Sequence, residues 1–459
     1  MKKITKLLSL LLAVVMMLGL VACDSNAPAE TTVPASSDAT ETTAEAAAPT
    51  APNRAILGNT TELSGDFRYA GWGGSSAGAA DQDIQRLTVG YATMETNQGG
   101  AYVWNETAVK EHTETENEDG SATYTVTINE GLTFSDGSPI TAANYVAQVL
   151  AFATPVAVAA GQPGTAGQSF VGYEAYNAYT GEEAEGASKV FSGIRLLDEY
   201  TFSVTVDPQY LPYYFAYTYA AFDPTPLEMW LGEGVEVKDD GEGCYLSDEF
   251  YAKNDAGEYT TAAHMSESRY DVSKYPFSGP YVITNWDQGT KECTLTLNPE
   301  FKGNFEGQTP SIETIVYVFV VSETQLEQLK TGAIDVLSGV TGGDETKEAL
   351  EIVDDVKFSE VHYQRAGYGK VEFECDFGPT SFPEVRQAVT YLLNRTEFCQ
   401  AFTGGYGVVV NGPYSPDFDM WQAVKDDIDL NDYTYSPDAA KKVLEDAGWI
   451  YNSKGEPYV

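Results

Sequence analysis

The stretch from Val109 to Ala153 restricts the fold of this chain more than any other. Polar and apolar residues alternate from Val109 to Ile128 on both sides of Glu118-Asp119-Gly120, a turn string, and so predict a two-stranded hairpin. A second tight turn follows at Asp136-Gly137. Pro139 then stiffens the chain, and Thr141 stands where a side-chain oxygen caps a helix predicted from about Ala142 to Ala153. On local physics this is a hairpin, a turn and a helix joined without a linker.

The rest of the chain is long enough to build on that unit. Its 459 residues suffice for two or three domains, and a hydrophobic content of 43% supports a large core. The formal net charge of −42 repels nucleic acid and anionic lipid, so neither is expected as a partner. The acids read as a solubilising surface. In particular, residues 232–262 are acidic and turn-rich, lack the calcium-loop spacing, and are expected to form an exposed insertion. Tyrosine is abundant at 30 residues, which suits strands and cores as well as adaptable recognition. Of the five cysteines, Cys23, Cys244, Cys293, Cys375 and Cys399, no two have a spacing from which a disulfide can be read.

Residues 1–22 read as an export signal: Lys2, Lys3 and Lys6 precede an apolar run, Leu7 to Leu20. The string Leu20-Val21-Ala22-Cys23 resembles a lipobox, which implies lipidation of Cys23 as the mature N-terminus. Residues 23–53 are rich in Ala, Thr, Pro, Ser and Glu without aromatics or hydrophobic period. They are expected to be a disordered tether.

Gly71-Trp72-Gly73-Gly74-Ser75-Ser76-Ala77-Gly78 is a Gly-rich loop ahead of a helix predicted from Asp81 to about Leu87. Backbone N–H groups at such a helix start can receive a ligand carboxylate. The loop also contains Gly-x-Ser-x-Gly at Gly74, Ser76 and Gly78, the pattern of a hydrolase nucleophile elbow. That motif needs a hydrophobic strand before it and a His partner. Asp66 to Trp72 is a poor strand, and neither His264 nor His362 lies in a supporting motif. The chain is therefore read as a non-enzyme, with a secreted serine hydrolase using Ser76 as the alternative from another class.

Later segments are equally well signalled. Ser322-Glu-Thr-Gln325 opens a helix that Gly332 closes, and a buried strand is expected over Ala333–Leu337. Phe382 to Glu397 is predicted as one helix packing by Val385, Val389, Leu392 and Leu393, with Arg386 and Arg395 as structural anchors. Gly412 to Trp421 forms an aromatic loop holding Tyr414, Asp417, Asp419 and Trp421. Ser436, Pro437 and Gly448 bracket a last helix.

Several of these strings, in this order, resemble the family 5 solute-binding proteins, the oligopeptide and dipeptide receptors of ABC importers. Leu132 to Val146 is similar to the family string Trp-Ser-Asp-Gly-x-Pro-Leu-Thr-Ala-x-Asp-Val, with Phe134, Ile140 and Asn144-Tyr145 as departures. Gly193, Ile194, Asp198 and Thr201 match a second segment. Phe277 to Trp286, Leu329 to Asp335, Val385-Arg-Gln-Ala388 with Asn394-Arg395, and the run to Gly448-Trp449 match others. The resemblance implies an α/β, bilobed periplasmic-binding-protein-like (type II) fold with an extra subdomain. The first lobe with its inserted subdomain is expected over 54–278 and an incomplete second lobe over 279–459, the C-terminal part missing.

The resemblance further implies a lipid-anchored monomer on the outer face of the membrane or in the periplasm. Such a receptor captures peptides and hands them to the permease subunits of an ABC transporter. Trp72, Ser75, Ser76, Tyr414, Asp417, Asp419 and Trp421 are the expected ligand-binding residues, with Gly279 and Pro280 as the hinge. No cofactor and no metal are expected. Receptors for another small solute and peptide sensors stay open as alternatives. With only His112, His264 and His362, a His-built nickel site is disfavoured.

Overall fold

The computed structural model describes residues 53–68, 78–97, 101–255, 261–353, 358–362, 367–412 and 414–457. The export signal, Cys23 and the tether lie outside them. Asn53–Val459 is one compact unit. It opens with β1 (Arg54–Asn59) and helix α1 (Ala79–Thr88), then a short hairpin of β2 (Met94–Thr96) and β3 (Tyr102–Trp104). The hairpin expected from the sequence follows as β4 (Val109–Glu116) and β5 (Ala122–Ile128), and helix α2 spans Ala142–Phe152. Next come β6 (Ile194–Leu196), β7 (Thr201–Val206) and the hairpin of β8 (Val237–Asp239) and β9 (Cys244–Leu246). A further hairpin, β10 (Tyr281–Asp287) and β11 (Glu292–Leu297), precedes β12 (Thr314–Phe319), α3 (Gln325–Thr331) and β13 (Val336–Ser338). The later helices include α4 (Pro383–Leu392), α5 (Arg395–Thr403) and α6 (Pro437–Asp446).

One sheet has the order β4-β5-β7-β6 and is antiparallel throughout. Alternation in β5 buries Ala122, Tyr124, Val126 and Ile128 on one face. On the other, Thr123 and Thr127 meet Thr205 and Thr201, Oγ1 to Oγ1, at 3.0 and 3.1 Å. β4 is exposed from Lys110 to Glu116 because it is the edge strand. Helix α2 begins with a reciprocal cap: the Thr141 N–H donates to Asn144 Oδ1 (2.9 Å) and the Asn144 N–H to the Thr141 carbonyl (3.0 Å). Tyr145, Val146 and Leu150 of α2 join the β5 face in a core that also takes Phe134, Phe202 and Trp230.

Residues 232–262 differ from expectation. The described ones, 232–255 and 261–262, are no exposed insertion: Cys244, Leu246 and Phe250 are buried in that same core. Asp239 is occupied by Arg195, which donates to it from Nε (2.8 Å) and Nη2 (3.0 Å). The density of acids in the segment conceals the few apolar positions that fix its fold.

The second sheet has the order β10-β11-β12-β1-β13, with β1 parallel to both β12 and β13. A distinct core of Leu63, Phe67, Ile84, Tyr281, Leu295 and Tyr317 packs it against α1. This sheet takes strands from both sides of residue 279. The division expected at 278/279 therefore does not separate one sheet from another. A parallel strand needs a partner across a long connection, and β1 finds its partners more than 250 residues on.

The helix expected over Phe382–Glu397 is two helices. α4 ends at Leu392, and Asn394 starts α5 by accepting from the Glu397 N–H (3.2 Å). Of the apolar stripe foreseen on α4, Val389 and Leu392 are exposed, and Ala388 is the buried residue where α4 meets α6.

Candidate functional site

In open sheets with parallel strands, ligands collect outside the carboxyl ends of those strands. Here β12, α3 and β13 form a parallel crossover around β1. The αL glycine Gly332 ends α3, as its sequence position predicts. At the carboxyl end of β1, Asn59 is buried. Its Oδ1 accepts from the Thr61 N–H (2.7 Å), and its carbonyl accepts from the Val320 N–H (2.9 Å).

The chain leaves this end of β1, passes through the Gly-rich stretch and returns at α1. Asp81, fully buried in the first turn of α1, bridges described residues on either side of that stretch. Its Oδ1 accepts from the Ser64 N–H (2.8 Å) and its Oδ2 from the Gly78 N–H (2.7 Å). Asp66, also fully buried, is paired with Arg269, whose Nε donates to Oδ1 (3.4 Å) and Nη2 to Oδ2 (2.5 Å). Arg68 donates to the Tyr275 and Pro276 carbonyls at 2.6 and 3.3 Å and lies 3.8 Å over the Phe277 ring. Burial pulls the Arg68 guanidinium down to about 9, so it remains protonated at neutral pH. Burial raises the Asp83 carboxyl, the next acid on α1, from its ordinary value, against the Tyr317 hydroxyl hydrogen bond (3.2 Å), which lowers it. Trp72, Ser75 and Ser76 lie outside the described residues; the groups that hold both roots of their loop do not.

The aromatic loop is braced by Arg395. Its guanidinium donates to the Val410 carbonyl (3.2 Å), to Asn411 Oδ1 (2.9 Å) and to the Asp432 carbonyl, the anchoring role its sequence context implies. Beyond it the Tyr414 and Trp421 rings stack, centroids 6.0 Å apart and planes 17° apart. Asp417 is exposed, on a turn where its N–H donates to Ser415 Oγ (3.3 Å). Asp419 is the first residue of the helix Asp419–Val424. The structure thus joins Tyr414 with Trp421 as a stacked pair.

Gly279 and Pro280 lie between Phe277 and Tyr281 of the second core, just after Tyr275 of the first. A Cβ on Gly279 would lie 2.4 Å from the Thr88 carbonyl carbon, so only glycine fits there. The segment is tied by Gly279 N–H to Thr88 O (2.9 Å), Gly90 N–H to Ser278 Oγ (3.1 Å) and Asn298 Nδ2 to Gly279 O (2.8 Å).

Residues 61–68 form no strand, and the residues directly before Ser76 lie outside the described ones. His264 is buried with Nε2 2.7 Å from the Glu228 carbonyl, and His362 is exposed beside Glu360. Among the described residues no group of three or more His, Cys, Asp or Glu is arranged to hold a metal. Asp66, Arg68, Asp81 and Arg269 were not singled out from the sequence. For Asp81 a signal exists, an acid at the third position of a helix whose cap is Gly78. For Asp66 and Arg269 none does, because they meet across 203 residues.

A model of the bacterial extracellular solute-binding proteins, family 5 Middle, matches residues 107–457. The oligopeptide-binding protein AppA of Bacillus subtilis (strain 168) is 31% identical over 192 residues, which cover 41% of this chain and 32% of AppA. The heme-binding protein A of Haemophilus influenzae is 24% identical over 172 residues, 38% of this chain and 29% of that protein. The alignments thus span about a third of these curated relatives' lengths. Lactococcal OppA, solved with an endogenous peptide in the closed conformation, superposes with a TM-score of 0.58 at 19% identity, covering 87% of this chain and 68% of that one. The mixed α/β fold is that of the bilobed binding proteins.

Proposed function

We propose, for a chain that belongs to the bacterial extracellular solute-binding proteins of family 5, that it captures peptides outside the membrane and delivers them to an ABC transporter permease. The observation that carries this reading is the family match over 107–457, which contains both the subdomain and the aromatic loop. AppA and lactococcal OppA, whose names and ligand are peptide-related, favour peptides over another solute. Heme-binding protein A keeps a different ligand as the second reading.

In this reading an extended peptide is held through its main chain at the carboxyl ends of β1, β12 and β13. Trp72, Ser75 and Ser76 face it from the loop that Asp81 closes. Tyr414 and Trp421 offer a stacked wall, and Asp417 or Asp419 pairs with the α-amine. Ligand contact with both lobes, over 54–278 and 279–459, favours the closed form, with Gly279 and Pro280 at the crossing. The protein acts as a monomer without catalysis, held to the membrane by a lipid on Cys23.

Calorimetric titration with mixed short peptides, with mass spectrometry of peptides retained on purification, tests this. Stoichiometric binding with a negative heat-capacity change supports it. A folded protein that binds heme or another solute and no peptide overturns it. Lipidation is checked separately by labelled palmitate incorporation, which Cys23→Ala should abolish.

A further inference from the structure

Beside the β4-β5-β7-β6 sheet lies an aromatic array that the proposed peptide site does not use. It is built from Tyr102 on β3 and from the segment leading through the short 3₁₀ helix Ala216–Ala220. Phe215 is its centre. Tyr214 meets it edge-to-face at 4.8 Å and 90°, Tyr102 at 5.8 Å and Tyr213 at 6.1 Å, and Tyr102 also meets Tyr217 at 6.4 Å. Three of these rings face solvent: Tyr102 is 43%, Tyr213 46% and Tyr214 55% exposed. A single exposed tyrosine needs no explanation, but three held rigid in one interlocked array form a surface.

The two segments that supply the rings carry acids and no base, with Lys110 the next residue beyond them, on β4. Residues 94–109 and 207–226, which supply the rings, contain no Lys or Arg and include Glu95, Glu106, Asp207 and Asp223. On the same face of β3 as Tyr102, Trp104 stacks on His112 of β4 at 4.0 Å and 12°. Two residues further along that face of β4 stands Glu114, exposed and accepting from the Tyr124 hydroxyl (2.9 Å), and then Glu116. Tyrosine faces attract guanidinium and ammonium groups, and a nearby carboxylate adds a directed partner for them. Rigid tyrosines also lose little entropy on binding.

We propose that this face is a docking surface for a cationic polypeptide segment, whose Arg or Lys side chains stack on Tyr102, Tyr213 and Tyr214 and are drawn by Glu114 and Glu116. The surface is additional to the peptide site and does not depend on it.

The test is calorimetry on the full chain with acetyl-triarginine amide, and with the same peptide carrying citrulline, which keeps the shape and removes the charge. The arginine peptide should bind at least about tenfold tighter. Tyr102→Ala/Tyr214→Ala should weaken it by about fivefold or more. Glu114→Gln/Glu116→Gln should lower the affinity and flatten its salt dependence. Circular dichroism verifies folding of each variant, and Tyr214→Gln serves if the double variant is unstable. Equal binding of the two peptides refutes a cation site. Wild-type affinity in the tyrosine variants refutes this face as its location. Tighter binding of a neutral oligosaccharide than of the arginine peptide refutes the assigned chemistry. Retention of copurified peptides by the tyrosine variants reads out the peptide-receptor function independently.

Discussion

Replacing Asp81 is the most informative single perturbation. Its two oxygens satisfy the Ser64 and Gly78 N–H groups at 2.8 and 2.7 Å, and the side chain has no access to water. Asp81→Ala deletes both acceptors. A fully buried donor left without a partner costs about 1–3 kcal/mol; on half-buried Ser64 and Gly78 the pair should cost up to about 2–6 kcal/mol. Asp81→Asn keeps one oxygen and should cost roughly half of that. Urea unfolding of the full chain, followed at unchanged slope, reads the difference directly. A loss below about 1 kcal/mol for Asp81→Ala would mean that water replaces the carboxylate, and the clamp argument fails. The same variants bear on function. If Trp72, Ser75 and Ser76 face the ligand from the segment between these roots, affinity for retained peptides should fall along with stability. Reduced stability with unchanged affinity would remove that loop from the site.

Four further outcomes are expected. Arg269→Ala removes the guanidinium from the fully buried Asp66 carboxylate and should destabilise the fold by about 3–5 kcal/mol in the same assay, with Asp66→Leu/Arg269→Met recovering most of it. Gly279→Ala places a methyl against the Thr88 backbone and should cost about 1–3 kcal/mol; a neutral variant would show that the crossing can shift. Glu95 is raised above its ordinary 4.5 by burial and then by Asp223, so the folded state holds that proton more tightly than the unfolded chain. Its contribution is favourable below the ordinary carboxylate range and is lost as pH rises through the folded value. Glu95→Gln should therefore be the more stable protein near neutral pH, with the advantage vanishing in acid. Burial pushes the Cys293 thiol up to about 12 and raises Cys244 further, so a thiol reagent at pH 8 should label exposed Cys375 and half-buried Cys399 first. Early labelling of Cys244 or Cys293 in the native protein would contradict the packing of their cores.

The units readable from the sequence are those whose signals lie within a few residues of one another. The β4–β5 hairpin, the Thr141 cap of α2, the Gly332 end of α3 and the Ser436 cap of α6 each depend on turn and cap chemistry over one or two turns of chain. The same locality makes the ordered motif strings of the family visible from Leu132 to Trp449. Errors came where a local signal was incomplete. Asn394 sits inside a continuous helical pattern, although its side chain caps the next helix. The acids of residues 232–262 outweighed Cys244, Leu246 and Phe250, which are buried among residues far away in sequence.

Only the tertiary structure decided what meets across long separations. It placed β1 between β12 and β13, paired Asp66 with Arg269 and brought Tyr102 of β3 onto the rings of residues 213–217. None of these has a periodicity or spacing to betray it, because each partner's own neighbourhood is satisfied by many alternatives. Sequence alone determined the local parts and the family to which they belong. The Gly279–Thr88 contact, the Asp81 clamp and the aromatic face exist because tertiary packing leaves those atoms one another as partners.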